Sequence, residues 1–205
     1  MRVPIADHYI KAFKEFNAFC DRNKIPKLKF GEYESNLVGF REHDGIRFLS
    51  LNSSWFCKDN DDRNKLWIGL PHLKYLDGVG ELPVVADDTD STPTVCLLHH
   101  PKSWLNENEQ HSYNSRPNSF DYLAKRCHLL LTGHTHGELR DAVRIAESAW
   151  HISAGAAYEN ASHFNSFKMI RVEGGAATRR SFEYDPRSAE SLWKEEVSGA
   201  KPLPF

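Results

Sequence analysis

The chain has 205 residues, a formal net charge of −2 and 40% hydrophobic residues, 12% of the whole being aromatic. That is enough apolar material for the core of one domain and excludes a disordered chain. The near-neutral charge gives no electrostatic footprint for nucleic acid or an anionic membrane. Four cysteines, Cys20, Cys57, Cys96 and Cys127, lie far apart without a Cys-x-x-Cys pair. They read as reduced thiols of a cytoplasmic protein. No apolar run reaches membrane-spanning length, and Met1–Tyr9 has no apolar signal core.

In chain order, Ile5–Cys20 predicts an amphipathic helix, with Tyr9, Phe13, Phe16 and Cys20 at helical spacing. Leu37–Arg41 and Ile46–Asn52 predict a hairpin closed at Asp44-Gly45, a strong tight-turn signal. Ser53–Lys65 reads as a surface loop. Its Asp59, Asp61 and Asp62 lack the glycine and closing glutamate of a calcium loop and are expected to be solvated. Leu70–Leu76 begins a short helix, with Pro71 suited to the first turn. Glu81–Pro93 reads as a linker.

Two unbroken apolar runs follow, Thr94–Leu98 and Leu129–Thr132. Runs of this kind without polar alternation predict strands buried on both faces of a sheet. Between them, Asn106–Asn118 reads as a polar, mobile loop, and Ser119–Arg126 as a helix capped by Asn118 or Ser119. Beyond them, Ala142–Ala146, Ala149–Ala154, Phe167–Val172 and Thr178–Phe182 predict a run of antiparallel strands. Asp185-Pro186 predicts the start of a last helix through about Val197, and the tail Lys201–Phe205 is expected to fray.

Each apolar run ends in histidine: His99-His100-Pro101 after the first, Gly133-His134-Thr135-His136-Gly137 after the second. Polar residues at the exits of such strands occupy the place where α/β proteins put their chemistry. Neutral imidazole is a common ligand for transition metals. Gly133 and Gly137 suit a loop that wraps an ion.

Val95-Cys-Leu-Leu-His-His-Pro101 followed by Leu129-Leu-Leu-Thr-Gly-His-Thr-His136 resembles the last two motif blocks of the calcineurin-like metallophosphoesterases. The resemblance implies a mixed α/β fold, half or more of a four-layer α/β/β/α sandwich with outer helices. It implies that His99 and His134 bind one ion of a two-metal centre and His136 the other. It leaves His100 out of the ligand set, because the family's ligand stands two residues before the proline. It implies divalent Mn, Fe, Zn or Ni as cofactor and a phosphoester as substrate. The family's earlier Asp-x-His, Gly-Asp and Gly-Asn-His-Asp blocks are not found before Thr94. Residues 1–205 therefore read as a single domain of this kind lacking the N-terminal metal-binding blocks. The expectations are an incomplete phosphoester hydrolase or a non-catalytic interaction module, and an uncovered sheet face that takes the missing half in trans or a second copy.

Overall fold

The computed structural model describes residues 11–204 apart from 12, 31–32, 35–36, 60, 83, 86–91, 136–140, 157–164, 186–191 and 197–200. Helix α1 (Lys14–Arg22) is followed by a small ribbon, β1 (Lys29–Phe30) with β2 (Tyr33–Glu34). The expected helix thus ends close to its predicted end, while residues 1–10 lie outside the described residues. β3 (Val38–His43) and β4 (Ile46–Leu51) pair antiparallel, with His43 opposite Ile46. The turn between them places Asp44 at φ 51° and Gly45 at φ 71°. Positive φ at both positions gives the turn that matches strand twist, which is why Asp-Gly stands there.

Helix α2 (Leu70–Gly78), strand β5 (Thr94–Leu98), the short α3 (Glu107–Gln110), α4 (Ser119–Ala124) and β6 (Leu129–Thr132) come next. Asn118 caps α4, its side chain accepting the Asp121 N–H at 2.7 Å. The chain then forms β7 (Val143–Ala146), β8 (Ala149–Ser153), β9 (Ser166–Glu173), β10 (Ala176–Tyr184), β11 (Trp193–Glu195) and β12 (Lys201–Pro204). No helix among the described residues is long and apolar enough to cross a membrane.

The main sheet has six strands in the order β3-β4-β5-β6-β8-β7. β4, β5, β6 and β8 run parallel, and β3 and β7 are antiparallel edges. A second sheet has β10 at its centre, flanked by β9 on one side and by β11 and β12 on the other. The architecture is the expected mixed α/β type with outer helices.

Two cores explain the unbroken apolar runs. On one face of the main sheet, Leu49, Cys96, Leu98 and Leu130 pack with Leu73 and Leu76 of α2 and Phe120 and Leu123 of α4. On the other, Val95, Leu129 and Ile152 pack against Ala177 of β10 and Leu203 of β12. β5 and β6 carry apolar side chains on both sides because each side meets a core, with Leu97 at the exit of β5 left exposed.

Here the structure corrects several expectations. The sheet face expected to be bare is covered at Val95, Leu129 and Ile152 by the chain's own second sheet, while Leu97 on the same face stays 37% exposed. The segment expected as a last helix contains β11, whose Trp193 pairs with Tyr184 of β10. The tail is ordered as β12, with Leu203 opposite Ala177. The stretch expected to be a mobile loop holds α3 and a fully buried Glu109, which accepts the N–H groups of Ile68 and Gly69 at 3.1 Å each. Asp62 is buried rather than solvated and accepts the N–H groups of Lys58 and Asp59 at 2.5 and 3.1 Å.

Candidate metal centre

β5 and β6 are neighbours in parallel register, Val95 opposite Leu129 and Leu97 opposite Leu131. Their exits therefore fall side by side at one sheet edge, and the two histidine motifs meet there. The Gly133 N–H donates to the His99 carbonyl at 2.9 Å, tying the two loops together. A side chain at Gly133 would sit 3.4 Å from His99 Nδ1, in ordinary contact with that ring. His134 takes a left-handed backbone, φ 69°. For a non-glycine residue this is an uncommon conformation, of the kind that clusters at ligand sites.

His99, His100 and His134 each offer a ring nitrogen, and these nitrogens lie within 4.8 Å of one another. His134 Nδ1 is 3.3 Å from His99 Nε2. The ring centres stand 4.7 Å apart for His99 and His100, 4.6 Å for His100 and His134, and 5.2 Å for His99 and His134. His99 is exposed, His134 half-buried and His100 buried. The sequence-predicted His99 and His134 are thus brought together. His136 lies outside the described residues. His100, which the resemblance leaves out, stands in the cluster. No signal in the sequence marks it, because its partner Ser53 stands 47 residues away along the chain.

Neighbouring side chains fix the rings. Ser53 Oγ lies 2.8 Å from His100 Nδ1 and also accepts the His100 N–H at 3.4 Å. Trp104, on a turn of 3₁₀ helix at Lys102–Trp104, meets the His134 ring at a centroid distance of 3.9 Å, edge to face. Burial, then the proximity of His99 and His134, lowers the His100 pKa to about 4, with the Asp62 charge opposing. Asp62 itself is held below the usual carboxylate range, chiefly by the Lys58 N–H. His100 is therefore neutral at physiological pH, the form in which imidazole binds metal.

The donor set fits a transition-metal ion. Two nitrogens on one tetrahedral zinc, each at about 2.0–2.1 Å, stand about 3.3 Å apart. The His99–His134 pair has that spacing. Three imidazoles suit Zn, Ni or Fe, and Mn with added oxygen ligands. Among the described residues, no carboxylate joins the three histidines in the cluster.

No family model matches the chain. No curated protein matches it either. Among solved structures, the chain is similar to Vps29 from Chaetomium thermophilum, at 9% identity over 82% of this chain, with a TM-score of 0.34. The match covers 59% of that protein, so the chain spans about three fifths of its length. It is also similar to a double mutant and a single mutant of Vps29 from Entamoeba histolytica, each 10% identical over 85% of this chain and 67% of that one, with TM-scores of 0.34 and 0.33. At these identities and scores, the chemistry of the site rests on this chain's own residues.

Proposed function

We propose that this chain is a metallophosphoesterase-type protein that holds a divalent metal ion at His99 and His134 and engages a phosphate ester there. The observation that carries the proposal is the meeting of three imidazole nitrogens within 4.8 Å at the exits of two adjacent parallel strands. The motif resemblance supplies the substrate class, and it assigns His136 to a second ion. A bound divalent ion would supply charge stabilisation at the phosphoryl oxygens and a water of lowered pKa. The protein's own part is to present neutral imidazoles in a fixed geometry. Gly133 holds the two loops together, Ser53 braces His100 and Trp104 braces His134.

The test is hydrolysis of aryl phosphate mono- and diesters in the presence of manganese or zinc, with the His99→Ala, His134→Ala double variant as control. A metal-dependent rate lost in the double variant supports an active phosphoesterase. A second reading is a non-catalytic interaction module that keeps the centre as a scaffold. It is favoured by the lack of a carboxylate beside the three histidines among the described residues, since a bridging carboxylate is what joins two ions. Metal binding without turnover would select that reading. We expect the isolated chain to turn over such esters slowly or not at all. Failure of manganese and zinc to bind would sink both readings.

A further inference from the structure

We infer that His100 is the third ligand of the ion held by His99 and His134, and that Ser53 is the residue that orients it. The inference rests on the metal-binding reading above and concerns which side chains complete the coordination shell.

The cluster has the shape of a coordination site. Imidazoles aimed at one tetrahedral ion from about 2.0–2.1 Å place their ring centres roughly 5 Å apart. The three rings here form a nearly equilateral triangle with sides of 4.7, 4.6 and 5.2 Å. Their planes are tilted by 75°, 59° and 79°, and His100 also stacks on Trp104, ring centres 5.9 Å apart at 27°. The ring separations are those that a shared ion would require, and His100 would give it a third nitrogen where His99 and His134 alone give two.

His100 is also held as a ligand is held. Both its backbone N–H and its ring Nδ1 meet the same hydroxyl, Ser53 Oγ. That double contact fixes the ring rotation, and Ser53 is itself 1% exposed. In the tautomer whose Nδ1–H donates to that hydroxyl, Nε2 is unprotonated and available to an ion. Metal-binding histidines nearly always engage their other ring nitrogen in this way.

The donor set, finally, has a known chemistry. Three neutral imidazoles with an open fourth position form a zinc site that can bind water or substrate. His99 is the exposed member, so the open position lies toward solvent.

The test uses the full chain loaded with zinc, and with cobalt(II) as a spectroscopic probe. X-ray absorption of the zinc-loaded His136→Ala variant should count three imidazoles, and cobalt should give the intense visible bands of a tetrahedral site. His100→Gln and His100→Ala, each checked for folding by circular dichroism, should weaken zinc binding by roughly 100-fold or more, and Ser53→Ala by roughly 10-fold, as loss of an orienting partner does. Two imidazoles in the His136→Ala variant, or a folded His100→Gln chain that binds zinc as the wild type does, would overturn the assignment. Either of these leaves the metal-binding reading standing. A wild-type chain that binds no zinc would overturn both.

Discussion

Thr132 Oγ1 lies 2.7 Å from His151 Nε2, and the pair is buried on the helix-covered side of the main sheet near Phe120. Burial, then the charge of Lys168, lowers the His151 pKa from 6.5 to about 4. The unfolded chain binds a proton below about pH 6.5 that the folded chain refuses until about pH 4. The stability contributed by neutral His151 is thus complete above pH 6.5 and is lost as pH falls toward 4. At about 1.4 kcal/mol per pH unit, the loss is on the order of 3 kcal/mol. His100 adds an effect of the same sign over the same window. Denaturant titrations from pH 7.5 to 4.5 should show the midpoint falling, and His151→Gln should flatten part of that slope while lowering stability at neutral pH. A midpoint independent of pH would contradict the role given to burial. Cysteine chemistry gives a second check at this scale. Cys96 and Cys127 are buried and their thiols are pushed up, that of Cys127 to about 12, whereas Cys57, though burial raises its thiol too, is exposed to the reagent. Since the thiolate is the reactive form, a brief treatment of the native protein with iodoacetamide should label Cys57 and spare Cys96 and Cys127 until the chain unfolds. Mass spectrometry of the tryptic peptides reads the result.

At the scale of elements, α3 acts as a clamp. Its Glu109 reaches across 41 and 40 residues to the N–H groups of Ile68 and Gly69, while Asn106 N–H donates to the Leu66 carbonyl at 2.7 Å and Asn64 N–H to the Trp104 carbonyl at 3.0 Å. The loop that carries Ser53 is thereby joined to the segment that carries Trp104. Glu109→Ala would leave two buried donors without their acceptor, at a cost of about 2–4 kcal/mol. Glu109→Gln keeps an acceptor oxygen and should cost less. Chemical denaturation of the two variants measures the difference, and an equal loss in both would refute the clamp. Nothing local marks Glu109 in the sequence. It stands in a run of Asn, Glu and Gln that reads as solvated, and its partners lie far upstream. The same holds for β11 and β12. Asp185-Pro186 is a sound local signal for a helix start, but Tyr184 opposite Trp193 and Ala177 opposite Leu203 are pairings that neither propensity nor period reveals. What depends on local pattern was legible: the Asp44-Gly45 hairpin, the Asn118 cap, Pro71 in the first turn of α2, and the apolar β5 and β6. The meeting of His99 with His134 followed from those two strands being neighbours. The position of His100 followed from Ser53, which only the fold brings to it.

For the whole molecule, the decisive feature is that one chain builds a core on each face of its main sheet. The helix-side core is large, and the inter-sheet core is small, built around Val95, Leu129, Ile152, Ala177 and Leu203 with Ile170 and Val172 at its border. A sheet with a bare inner face would associate or aggregate to bury it. Here that role falls to β9, β10 and β12, so the tail strand becomes a structural member. Leu203 is 3% exposed, and its removal should open a cavity against Ala177. Leucine-to-alanine changes at such sites cost about 2–5 kcal/mol. For a chain of this size each kcal/mol shifts the melting temperature by about 2–4 °C, so Leu203→Ala should melt roughly 5–15 °C lower. Ending the chain before Lys201 should do more. It would also uncover the inter-sheet core, so that a dye reporting apolar surface binds and sedimentation reveals association. A truncated chain that melts as the full one does, stays dye-silent and sediments as a monomer would show that β12 contributes nothing to the cover. The inner face would then have to be closed by β9 and β10 alone.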